Sequence, residues 1–590
     1  MSMKFRKFPL ESIRLLPGIF TDRAKLNKKY IMSLTNENLL RSFYFEAGLW
    51  HNMGREDNIH FGWEAPTCQI RGHFLGHWLS AAAQIYRSTQ DFEVKSKADF
   101  IVSELARCQK ENGSEWAGSI PEKYLDWLAE GKPVWVPQYT LHKTLMGLWD
   151  MYKHAGNSQA FEIINNWANW FYRWTGKFSY EQMQKILTVE TGGMLEIWAD
   201  LYGVTKKQEH LELLNRYYKA SLFDELLSGK DVLTNSHANT TIPEALGAAR
   251  AWEVTGDKRW KDITEAYWHF AVDYRGYFCT GGQTAAELWT PPGKQSARLS
   301  DKNQEHCTVY NMMRLAEIML LWTGDASYAD YWERNLYGGI LSQQNPKTGM
   351  VTYFLPLQAG SVKKWGTPTE DFWCCHGTLV QAHSAHGSSA FLEDDDGLII
   401  NQYIPTEVKF TKNGNSVKAV QNFNSQLCSF NRPNSIIADI DITTEAPLEF
   451  SVKLRIPWWV KGEASVMING EKTEAKLTPS SYYEIYRAWS NDRIQIVLPK
   501  SLYTCSLPDN PDMVAFMDGP MVLAGLCSEE RILTGDKDHC DTILTPDDER
   551  EWPAWKSGYR TKGQNLGFKF IPLHEISDEK YQVYFSINDK

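Results

Sequence analysis

Residues 305–322 read Glu-His-Cys-Thr-Val-Tyr-Asn-Met-Met-Arg-Leu-Ala-Glu-Ile-Met-Leu-Leu-Trp. Val309, Met312, Met313, Ala316, Met319 and Leu320 fall three and four apart, the period of one helix face. The spacing predicts a helix over Thr308–Trp322, with Glu305 and Cys307 just ahead of it. Further along, residues 372–378 read Phe-Trp-Cys-Cys-His-Gly-Thr. Glu305, Cys307, Cys374 and Cys375 offer one carboxylate and three thiols, a donor set sufficient for a tetrahedral zinc. Adjacent cysteine side chains diverge, so a site using both needs a tight backbone bend, which Gly377 is placed to help. Plain packing competes with this reading, because free cysteine is among the most buried residue types. No Cys-x-x-Cys spacing accompanies the pair, and a disulfide between neighbours would strain the backbone.

The same helical period extends in both directions. It recurs over Phe74–Arg87, Ala98–Gln109, Thr140–His154, Ala160–Trp174, Leu211–Ala220, Ile242–Val254, Trp260–Phe270 and Tyr328–Leu341. Periodicity alone allows a ring of paired helices or a solenoid. A short arm over 1–23, broken by Pro9 and Pro17, precedes the helices, and Leu10, Ile13, Leu15 and Leu16 give it apolar residues to dock with. After about Gly397 the pattern becomes alternating, as in Val408–Thr411, Ser451–Ile456 and Arg493–Leu498. Val466–Ile468 leads into Asn469-Gly470, a hairpin turn. Three parts are therefore expected: the arm, a helical region over 24–396, and a β region over 397–590. The acidic run Asp547-Asp548-Glu549 reads as solvated surface.

A chain of 590 residues exceeds one simple domain. Its net charge of −10 argues against nucleic acid, which calls for clustered Lys and Arg. The 24 tryptophans suit a protein that stacks sugar rings, although tryptophan also fills cores. The ten cysteines are scattered, without a disulfide framework. With no apolar export run at the start and no stretch long enough to cross a bilayer, a cytoplasmic protein without membrane contact is expected. Self-association into a homo-oligomer is left open.

Glu305–Leu315 and Phe372–Thr378 resemble the zinc-dependent cysteine glycosidases of glycoside hydrolase family 127 and its relative family 146, the β-L-arabinofuranosidases. The likeness covers most of the chain. It implies a mainly α protein with β: an (α/α)6 barrel catalytic domain followed by a β-sandwich domain. It also implies Zn2+ held by Glu305, Cys307, Cys374 and Cys375, with Cys374 as the nucleophile. Glu287 matches the loop acid/base that the family carries shortly before its Glu-x-Cys. His142, His237, Asn239 and Tyr353 resemble glycone contacts. His73 and His77, four apart on one helix face, either reach sugar hydroxyls or brace the barrel. His376 either orients the cysteine pair or has no role. Thr191 stands where the commoner family form has histidine, which bears on the sugar subsite.

The resulting expectation is a retaining hydrolase of β-L-arabinofuranosides or related furanosides, acting on an oligosaccharide or glycoside. Two alternatives stand beside it. One is a uronic-sugar hydrolase or lyase on the same barrel, and the other is a glycan-binding protein with structural zinc.

Overall fold

The computed structural model describes residues 3–49, 59–423, 434–547, 550–551, 554–555 and 558–588. Cys428 and the pair Asp548-Glu549 lie outside them. Six helices among the described residues are inner ones: α1 His73–Thr89, α2 Pro137–Ala155, α3 Met194–Thr205, α4 Ala238–Thr255, α5 His306–Thr323 and α6 Cys374–Ala382. Each packs on the next, and α6 packs back on α1, so the ring closes. The helices Phe92–Glu111, Ser158–Thr175, Gln208–Arg216, Lys258–Trp268 and Ala326–Asn335 each follow an inner helix and lie outside it. This is the (α/α)6 barrel, with a β region after it.

Local chemistry explains the repeat. The inner helices α2, α4 and α5 end on Gly156, Gly256 and Gly324, each in the left-handed conformation that closes a helix C-terminus. The very next residue, Asn157, Asp257 or Asp325, caps the outer helix with its side chain. One dipeptide thus ends one helix and starts its antiparallel partner. Inner and outer helices differ in composition for the same reason. The inner ones are buried almost all round, whereas the outer ones keep a polar face. Helices α1 and α2 cross where both lack side chains: a Cβ at Gly76 would lie 1.8 Å from the Lys143 carbonyl oxygen.

The predicted spans fall on helices, with several differences: the helix expected from Ala98 already begins at Phe92, α3 over Met194–Thr205 was not among the predicted spans, and a helix over Ile19–Ser33 begins inside the segment expected as the arm. The helix expected over Leu211–Ala220 stops at Arg216, and a second one runs over Ala220–Leu227. From Phe391 onward strands dominate; with two strands of the arm they form a ten-stranded sheet, and an eight-stranded sheet follows. Asn469 and Gly470 both take positive φ, as a type I′ hairpin requires. The arm docks by strand pairing: Arg6–Lys7 pairs with Phe391–Glu393, and Ile13–Leu15 pairs with Thr406–Lys412. Its residues Lys7–Glu11 cover a cavity of about 550 Å3 at the C-terminal ends of the inner helices. Arg455 ties the larger sheet to the barrel, reaching Asp330 at 2.6 Å and Glu333 at 2.8 Å with its side chain fully buried.

The acidic run corrects the sequence reading. Asp547 is buried, with Arg560 at 2.7 Å and Lys569 at 3.5 Å. A carboxylate can leave water when cations replace its hydration.

Candidate active site

The N-terminal ends of the inner helices converge at the end of the barrel opposite the arm. An α-helix N-terminus leaves backbone N–H groups unpaired and carries partial positive charge, which favours anionic side chains. Cys374 and Cys375 open α6, Glu305 is the N-cap of α5 with Cys307 its second residue, and His237 is the N-cap of α4. The structure brings the four proposed donors together, all buried, with one ligand atom from each lying within 4.8 Å of the others. Cys307 Sγ is 3.6 Å from Cys375 Sγ, and Cys374 Sγ is 3.8 Å from Cys375 Sγ and 3.6 Å from Glu305 Oε1. A tetrahedral zinc with bonds of about 2.3 Å sets its sulfurs about 3.8 Å apart.

The donor chemistry also fits a cation. Glu305 Oε2 is buried without a hydrogen-bond partner among the described residues. Burial pushes Glu305, Cys307 and Cys375 toward their neutral forms, and neighbouring Cys374 adds to this. Burial works on Cys374 in the same direction, but hydrogen bonding with Cys307, Cys375 and Tyr353 outweighs it and holds this thiol well below the usual range. Three buried acids beside a thiolate need a positive charge to ionise together.

The backbone bend lies at a different residue from the one expected. Phe372 takes φ +49, just ahead of the pair, and His73 Nε2 donates to its carbonyl at 2.8 Å. Gly377 lies inside α6, where it admits the His77 ring, since a Cβ there would come within 2.2 Å of His77 Cδ2. His73 also meets the Tyr139 hydroxyl at 3.5 Å, and His77 Nδ1 donates to Gln381 Oε1 at 2.6 Å. Both rings are buried and turned to protein partners beneath the cysteine pair. His376 is likewise buried, with Nε2 on the Thr367 carbonyl at 3.1 Å.

Glu287 sits at the tip of a hairpin formed by Thr284–Ala285 and Leu288–Trp289, where Ala286 and Glu287 take φ +48 and +67. Its Oε1 accepts from the Tyr353 hydroxyl. The same hydroxyl oxygen lies 3.6 Å from Cys374 Sγ, so Tyr353 touches both groups. His237 Nε2 lies 3.6 Å from Glu287 Oε2. His237 and then Tyr353 hold the Glu287 carboxyl below its ordinary range, against burial. Burial pulls His237 down, but Glu287 and Glu190 raise it above the ordinary histidine range.

Asn239 accepts from Asn311 Nδ2 at 3.0 Å, which ties α4 to α5. His142 is buried against Gly192 and Gly193, and a Cβ at Gly193 would lie 2.6 Å from His142 Nε2. Thr191 is turned away from the site: it is fully buried and donates to Glu244 Oε1 at 2.7 Å. Sequence reasoning missed several neighbours. Glu64 caps α1 through the Gly72 and Phe74 amides at 2.6 and 2.9 Å. Lys143 is buried with its ammonium 4.5 Å from the centre of the Tyr139 ring, and the field of Glu190 reaches both Lys143 and His237. Lys143 and Glu190 adjoin His142 and Thr191 in sequence, and that adjacency was the available signal.

The family model described as β-L-arabinofuranosidase, GH127 catalytic domain, matches residues 12–388, and the GH127 middle domain matches 397–500. A non-reducing end β-L-arabinofuranosidase of Bifidobacterium longum subsp. longum is 21% identical over 526 residues, covering 78% of this chain and 75% of that protein. A GH127 β-L-arabinofuranosidase crystal structure from Geobacillus stearothermophilus T6 matches with TM-score 0.73 at 18% identity, over 98% of this chain and 100% of that one. A further GH127 β-arabinofuranosidase matches with TM-score 0.76 at 16% identity, over 100% of this chain and 98% of that one. These two structures share the fold of this chain.

Proposed function

This chain belongs to the GH127 β-L-arabinofuranosidase family and is a glycosidase; from that premise we propose that it releases β-L-arabinofuranose, or a related furanosyl sugar, with retention of configuration. The observation that carries the mechanism is Tyr353, whose hydroxyl touches both Cys374 and Glu287. Cys374 Sγ attacks the anomeric carbon as the bond to the leaving oxygen breaks, forming a thioglycosyl intermediate. Glu287 delivers the proton to that oxygen. The resting site favours Glu287 as carboxylate and His237 as cation, so the two side chains hold that proton between them. Glu287, again a carboxylate, then takes a proton from water, and the water oxygen replaces Cys374 at the anomeric carbon. Glu305, Cys307 and Cys375, with Cys374, are the residues to hold zinc. Bound there, zinc would keep the thiols ionised at neutral pH. In this reading His142, His237 and Asn239 contact the glycone, and His73 and His77 brace the cysteine pair from below.

No helix among the described residues is long and apolar enough to cross a membrane. The nine described cysteines are free thiols, which suits a reducing cytoplasm.

Nitrophenol release from nitrophenyl β-L-arabinofuranoside tests the reading. Wild type is expected to turn it over, Cys374→Ala to lose turnover, and Glu287→Gln to lose about a hundredfold or more. Full activity in Cys374→Ala would sink the mechanism.

A further inference from the structure

We propose that Trp135, backed by Trp63, is a stacking platform for the sugar ring on the leaving-group side of the scissile bond. The physiological substrate is then a furanosyl unit linked to a second sugar. The proposal rests on Cys374 marking the glycone position.

A continuous line of rings leads from the thiol to the surface. Tyr353 Oη is 3.6 Å from Cys374 Sγ. The Tyr353 and Trp63 ring centres are 6.4 Å apart, and those of Trp63 and Trp135 are 5.1 Å apart, with the planes nearly perpendicular at each step. Trp63 is half-buried, whereas Trp135 is 43% exposed. Most of the described tryptophans do the opposite, and Trp78, Trp167 and Trp198 are wholly buried.

The fold holds Trp135 outward against local preference. Val136, the next residue, has φ 35 and ψ 56. A β-branched residue in the left-handed region is a genuine outlier, and such strain persists only where the surroundings over-determine it. Here Pro137 starts α2 directly after Val136, and the Trp135 amide donates to Gln69 Oε1 at 2.7 Å. Trp63 is fixed to the cysteine loop itself, its amide donating to the Asp371 carbonyl at 2.9 Å. Platform and thiol therefore share one backbone frame.

The occupant follows from covalent connection. A glycoside whose glycone meets Cys374 carries its next ring beside the site mouth. An indole face is electron-rich and apolar, and the C–H face of a sugar ring is its natural partner.

The test compares two substrates: a β-L-arabinofuranosyl disaccharide and methyl β-L-arabinofuranoside. Trp135→Ala is expected to lower kcat/KM on the disaccharide by about tenfold or more and to leave the methyl glycoside within about twofold. Trp135→Phe should recover most of the loss. Equal losses on both substrates, or none on either, would overturn the platform. A separate binding arm uses the Glu287→Gln protein, with the disaccharide titrated by calorimetry. Adding Trp135→Ala should weaken binding by about tenfold; unchanged binding, or no binding before that substitution, also overturns it. Should wild type hydrolyse neither glycoside while the binding loss holds, the platform stands and the proposed reaction fails.

Discussion

Thr378 reports directly on the thiol cluster. Its hydroxyl lies 3.3 Å from Cys307 Sγ and 2.8 Å from His306 Nδ1. With His306 donating, the single hydroxyl proton goes to the Cys307 sulfur or to the Cys375 carbonyl at 3.5 Å, and the sulfur is the nearer. Groups that hydrogen-bond a metal ligand commonly change affinity roughly 10–100-fold when removed. Thr378→Val is therefore expected to weaken zinc binding by about that factor in a chelator competition, with Thr378→Ser close to wild type. Equal affinity in all three proteins would remove the hydroxyl from the site. The Cys-Cys-His-Gly-Thr run put Thr378 in view, but its partner Cys307 is distant in sequence, so the pairing was not legible.

At the scale of elements, the site depends on how closely α1 and α2 approach. A methyl at Gly76 would meet the Lys143 carbonyl, and one at Gly147 would meet the Gly76 carbonyl at 2.4 Å. Gly76→Ala is expected to cost about 1–3 kcal/mol, because backbone has to move to admit it. Urea unfolding measures this; an unchanged midpoint would mean the crossing relaxes freely. Most of the helices were legible from period alone, but the inner helices α3 and α6 were not among the spans it marked. Three of the inner-to-outer turns were also encoded, in Gly156-Asn157, Gly256-Asp257 and Gly324-Asp325, but each pair read singly looks like any loop. Ring closure is a contact between α6 and α1, far apart in the chain, and no local pattern states it.

Across the whole molecule, buried histidines set the acid limit. Burial pushes His73 and His210 down to about 4, and His60 and His574 to about 3. An unfolded histidine titrates near 6.5. As pH falls below about 6.5, the unfolded chain takes up protons that the folded chain refuses, so stability declines toward pH 4. Chemical denaturation at pH 7 and pH 5 should show a clearly lower midpoint at pH 5. A flat midpoint would mean that these rings are protonated within the fold. The sheets and the arm belong to the same body. Arg455 reaches from a strand into the barrel helix that carries Asp330 and Glu333, and the first strands of the chain complete the larger sheet.

By itself the sequence determined the kind of element at most positions, the Asn469-Gly470 turn, and which side chains could ligate a metal. Helical period, turn conformation and donor type are properties of short segments. Only the tertiary structure decided what those segments face. It set Glu287 beside Tyr353 and His237, turned Thr191 into the core, placed His73 and His77 under the cysteine pair, and paired Asp547 with cations. Each of these follows from packing among distant elements, where burial and partner availability outweigh local preference.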